Sequence, residues 1–125
     1  MEIALLTGRI LFSLIFIFSA PGHFKQGTIA FAASKGVPLA SVMVPFSGIM
    51  ELVGGISILI GYEARIGAWL IVLFMLPVTF VLHAFWKIKD PMQKQMEMAT
   101  FLKNISIMGG ALILTYFGSG ELSIN

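Results

Sequence analysis

Four polar side chains stand inside apolar sequence, and each carries chemistry that a lipid interior makes expensive: Arg9, Glu51, His83 and Asn104. Glu51 is the most informative, because the run 43–60 around it is apolar and long enough to cross a bilayer. An ionised carboxylate at that depth costs about 2.5–3.5 kcal/mol on insertion scales, so it must be paired, protonated or facing water. Arg9 is the cation that could hold Glu51 ionised. His83 could exchange a proton, since histidine is the side chain whose charge changes near neutral pH. Asn104 could donate and accept hydrogen bonds at once.

Helical spacing places each of these on an inward face. Glu51 shares a face with Gly48, Gly54 and Gly55, at offsets of three and four, and small residues let helices approach closely. Arg9 lines up with Ser13, Phe16 and Ala20, His83 with Thr79 and Phe80, and Asn104 with Met108 and Ala111. An antiparallel pairing of the first two spans brings Arg9 within reach of Glu51, and a polar column from Arg9 through Glu51 to His83 and Asn104 follows along the bundle axis. Three readings stay open. The first is structural: an Arg9–Glu51 ion pair, with His83 and Asn104 bridging helices at about 0.6–2 kcal/mol per contact. The second is functional: a pocket for a polar or quinone-like head group, or a proton path. The third, metal or haem ligation by His23 and His83, lacks the usual ligand spacing, and no metal is expected.

The elements that must position these residues are legible in composition. Of 125 residues, 58% are hydrophobic and only 11% charged, against roughly 45–50% and 25% in soluble domains. Too few charges remain to cover a water-facing surface, so the chain is an integral membrane protein. Four spans, about 3–20, 43–60, 66–85 and 101–117, use most of 1–125 as a single transmembrane domain and leave no room for a soluble catalytic one. Whether any reaction is catalysed is left open. Cysteine is absent, which excludes thiol–disulfide exchange and thiolate-held iron–sulfur clusters in this chain. There is no phosphate-binding glycine loop, no nucleophile motif and no nucleic-acid signature.

The first apolar run competes with a signal peptide, since Ser19 and Ala20 follow it. Glu2 in place of a basic leader, and Arg9 within the core, favour a retained span. Pro21 and Gly22 stop that helix, and residues 22–42 read as a short interfacial helix ending at Gly36-Val37-Pro38. Pro45 opens the second span and Gly61 closes it. Pro77 is placed to kink the third, while Trp69 and Trp86 mark the two headgroup levels. The polar, Met-rich segment 87–100 reads as an interfacial lead into the fourth. The expected fold is therefore all-α, a four-helix transmembrane bundle with short interfacial helices in the first and third connections. Lys25, Lys35, Lys87, Lys89 and Lys94 all fall in those connections, and Lys103 just inside the fourth span is expected to snorkel toward them. Arg65 stands on the opposite side. The positive-inside rule then puts the basic connections in the cytoplasm and both termini outside.

The order Arg9, Gly22-x-x-Lys25, Gly36-Val37-Pro38, Glu51-Leu52-Val53-Gly54-Gly55, Gly61-Tyr62-x-x-Arg65, His83-x-x-Trp86, Phe101-x-x-Asn104 and Gly109-Gly110 resembles the DoxX family over nearly the whole chain. The family takes its name from an archaeal terminal quinol oxidase, whose DoxD-related subunits are linked to thiosulfate:quinone oxidoreduction. The resemblance implies a four-helix fold, a prokaryotic inner-membrane location and a match of Arg9, Glu51, His83 and Asn104 to the family's polar pattern. The function expected from it is binding of a quinone-like ligand, with quinone as the cofactor, or service as a subunit of a membrane redox complex with partner proteins. A non-catalytic scaffold or assembly factor and a small proton-coupled transporter are the alternatives. Four short spans enclose little volume, which makes a homo-oligomer compatible with the sequence.

Overall fold

The computed structural model describes residues 2–120 and contains no strand among them. Helix α1 spans Glu2–Ser19 and continues as a 3-10 turn over Ala20–Phe24, where Pro21 removes an amide that an α-helix would use. Helix α2, Gln26–Ser34, is the short helix of the first connection. Helix α3 covers Ala40–Ile60 and ends on Gly61 in the left-handed region (φ 79), where a side chain would be strained. Helix α4, Ala64–Pro77, passes into a π turn over Val78–Leu82. Helix α5 runs without interruption over Pro91–Phe117.

Three boundaries differ from expectation for physical reasons. Helix α3 begins at Ala40 rather than at Pro45, because a proline this close to a helix start disturbs few of its hydrogen bonds. Pro77 widens α4 into the π turn instead of simply bending it, since the wider turn accommodates the missing amide and the ring. The polar segment 87–100 is mostly the first turns of α5, nucleated by Asp90, whose Oδ2 accepts the Gln93 amide at 2.9 Å. The third connection keeps only a one-turn 3-10 helix, Phe85–Lys87.

Four helices, Glu2–Phe24, Ala40–Ile60, Ala64–Lys87 and Pro91–Phe117, are long and apolar enough to cross a membrane. Each turns a narrow face inward and leaves many large apolar side chains, such as Leu11, Phe18, Ile66 and Ile113, exposed. In water that surface would be prohibitive; in lipid it is the solvent-compatible side. The helices pack in the order α1–α3–α4–α5, with α3 and α4 central. Glycines set the closeness. A Cβ on Gly54 would lie 2.9 Å from the Gly67 carbonyl oxygen of α4, and one on Gly55 would lie 3.2 Å from Phe16 Cβ of α1. The main core gathers Phe16, Ile58, Ile71, Phe74, Met108 and Leu114. A satellite cluster of Ala32, Ala40 and Val44, joined by Leu82, lies under α2.

Candidate functional site

Helix α3 carries Glu51 eleven residues from Ala40 and nine from Ile60, about 14–16 Å from either end and hence near the bilayer midplane. The side chain is buried. Its partners come from the end of the first span. Ser19 Oγ donates to Glu51 Oε1, and His23 Nε2 lies 2.8 Å from Glu51 Oε2. His23 Nδ1 in turn lies 3.2 Å from Ser47 Oγ, and Ser47 donates to the Val44 carbonyl at 2.7 Å.

Counting hydrogens along this chain is informative. The short bond commits the Ser47 hydrogen to Val44, so Ser47 accepts from His23 Nδ1–H. His23 then faces Glu51 Oε2 with Nε2 at 2.8 Å, and a single proton carried by either partner leaves the two together without net charge. That is how the bilayer centre tolerates a carboxylate.

Close packing positions the pair. A Cβ on Gly48 would fall 2.6 Å from His23 Cβ and 3.3 Å from the Ala20 carbonyl oxygen, so only glycine lets the 3-10 turn lie directly on α3. The Phe74 ring of α4 covers the imidazole, with centroids 5.4 Å apart. On its other side the imidazole borders a cavity of about 240 Å³ between α2, α3 and the π turn. The walls are apolar, including Ala32, Val37, Met43, Val44, Val78 and Val81, and the polar side chains are His23, Thr28 and Ser47. A buried apolar cavity of roughly 150 Å³ already admits benzene, so this half-open cleft has the volume of a substituted ring. The chemistry available is hydrogen bonding at one end of an apolar slot, by an imidazole backed by a carboxylate.

Of the four sequence-selected residues, Glu51 and His83 take partners outside the set. Arg9 is buried on the α1 face of Ser13 and Phe16, as its spacing predicts. It precedes Ser19 by ten residues, however, which is about 15 Å of rise, so the expected Arg9–Glu51 pair does not form. The antiparallel register decides this, since Gly55 of α3 already faces Ser13 and Phe16. His83 lies at the end of the π turn and pairs with Glu97 of α5, its Nδ1 2.8 Å from Glu97 Oε2. Asn104 is buried on the α5 face of Met108, Ala111 and Leu114. No hydrogen bond or ion pair between Glu51 and His83 continues the expected column, since each is engaged by a different neighbour. Ser19 and His23 are the partners of Glu51 that sequence reasoning missed, and Ser47 stands behind His23. Their signal was the i, i+4 spacing of Ser19 with His23 and of Ser47 with Glu51, each pair sharing a helical face.

A family model, DoxX, matches residues 4–84, and the chain belongs to that family. The chain is 31% identical to the inner membrane protein YphA of Escherichia coli, over 98% of this chain and 89% of the relative. It is 30% identical to the inner membrane protein YqjF of the same organism, over 99% and 91%. The ER-derived vesicles protein ERV29 of Saccharomyces cerevisiae is 28% identical over 97% of this chain, which spans 32% of that longer protein. No solved structure matches significantly.

Proposed function

We propose that this DoxX-family membrane protein binds a quinone-like small molecule in the cavity between α2, α3 and the π turn, and serves a membrane redox complex as its ligand-binding subunit. The observation that carries the reading is a ring-sized apolar cavity ending on His23 and Ser47, with the Glu51 carboxyl group 2.8 Å behind the imidazole. A ligand oxygen at that end accepts from His23 Nδ1–H in place of Ser47. When Nδ1 yields its proton to a reduced ligand, the imidazole regains one at Nε2 from the Glu51 side; oxidation runs the same path in reverse. The chain holds no cysteine, so the electrons pass between the ligand and a redox-active partner protein, which donates them when the quinone is reduced and accepts them when the quinol is oxidised. The likeness to YphA and YqjF supports an inner-membrane location. Lysines clustered in the first and third connections support a cytoplasmic position for that end of the bundle and an outside one for the termini, which themselves lie outside the described residues.

The test is titration of the purified protein in lipid nanodiscs with a short-chain alkylated benzoquinone. Saturable binding is expected. His23→Ala should weaken it about tenfold or more, and Val81→Trp, which fills the cavity from its half-exposed wall, should abolish it. Wild-type protein that binds no probe, or binding that neither variant alters, removes the basis of the reading. A scaffold role is the second reading, and one observation favours it. Helix α5 is about 40 Å long, some 10 Å more than the hydrocarbon core, and its exposed Met92 and Met96 lie on the first turns, where a partner could dock. Recovery of a stoichiometric partner that is lost on Met92→Asp and Met96→Asp would establish it.

A further inference from the structure

We propose that His83 and Glu97 form a positioning pair that fixes the π-turn wall of the cavity and thereby sets its affinity for ligand; the proposal rests on the ligand-binding reading above. The cavity wall opposite α2 and α3 is the segment Pro77–Leu82, with Pro77, Val78, Val81 and Leu82 all lining it. A π turn is rare and occurs mostly as a single-turn interruption within an α-helix, flanked by helix on both sides. This one ends at His83, whose backbone leaves helical geometry (φ −117, ψ 41), and only the 3-10 turn Phe85–Lys87 follows before α5. The wall is therefore held from behind.

Two contacts hold it, and both reach the same face of α5. The Phe101 ring packs edge-on against Phe80 and Phe85, at centroid distances of 5.2 and 5.3 Å. One turn earlier, Glu97 Oε2 takes the His83 ring nitrogen at 2.8 Å. The aromatic contact sets how closely the wall approaches α5. The polar contact fixes the residue next to Leu82, and Leu82 packs with Ala32, Ala40 and Val44 while also lining the cavity. Rotation of the turn about its axis is thus stopped at the point where it would swing Leu82 into or out of the slot. His83 and Glu97 keep 23% and 28% of their side chains exposed, so neither needs the other to escape a desolvation penalty. A pair with only a surface role would leave ligand affinity unmoved when broken.

The experiment uses the full chain in nanodiscs and the same alkylated benzoquinone, with Glu97→Ala, His83→Ala, the double variant and Glu97→Gln. Each single alanine variant is expected to weaken binding about fivefold, the scale of one lost hydrogen bond, and the double variant no further. Glu97→Gln keeps an acceptor for the histidine and should recover most of the affinity. Hydrogen exchange over residues 78–84 should quicken in Glu97→Ala, with the other helices unchanged. Wild-type affinity in the folded alanine variants overturns the proposal. So does unchanged exchange over 78–84, whether or not the probe binds. If the wild type binds no probe while exchange in the variant still quickens, the ligand reading fails and the role of the pair in holding the wall stands.

Discussion

Gly48 shows how a single missing methyl group builds the site. The His23 backbone turn rests on α3 only because no Cβ intervenes, and Glu51 is neutralised only because His23 is there. Gly48→Ala should therefore overpack the contact and lower stability by about 1–3 kcal/mol, read as a fall in the thermal midpoint in detergent. Gly109→Ala is the control. An added Cβ there meets nothing within 4 Å, so removing a mid-helix glycine should be neutral or stabilising by about 0.5–1 kcal/mol. Equal effects at both positions would show that helix propensity, not close approach, governs these glycines. Glu51 was legible as a residue needing a partner, because cost follows from residue type and depth. Its partner was not, because Arg9 and His23 both stand in the first span and only the register between helices chooses one.

At the scale of elements, the hydrophobic runs located the helices and the prolines located their irregularities, but the form of each irregularity depended on its neighbours. Pro77 announces a break. That the break is a π turn lining a cavity follows from α5 behind it, through Phe101 and Glu97. Helix α5 starts earlier than its apolar pattern indicates because Asp90 caps it and Pro91 suits its first position. Asp90→Ala should cost about 1 kcal/mol and fray the first turn, seen as faster amide exchange confined to residues near 91–95. Exchange that stays as slow as in the parent would mean that packing, not the cap, starts this helix.

For the whole molecule, orientation is a charge question and can be tested directly, because no native cysteine competes with an introduced one. Lys35→Cys and Lys89→Cys should be protected in intact cells from a membrane-impermeant maleimide, and Tyr62→Cys should be labelled. The reverse pattern would mean that Arg9 and Arg65 outweigh the lysine clusters in setting topology.

By itself the sequence determined that this protein lives in lipid, that four helices are long and apolar enough to cross it, which faces of the first, second and fourth turn inward and that Glu51 requires compensation. The face expected of the third fails, with Phe80 exposed, because the π turn breaks its periodicity. Composition, run length and helical periodicity are local quantities, and the energetic cost of a charge in hydrocarbon applies whatever the fold. Only the tertiary structure decided that Ser19 and His23 rather than Arg9 compensate Glu51, that His83 pairs with Glu97, and that an apolar cavity opens beside His23. Those outcomes depend on the relative sliding of helices by a few residues and on contacts between segments far apart in the chain, which no periodicity within one helix encodes.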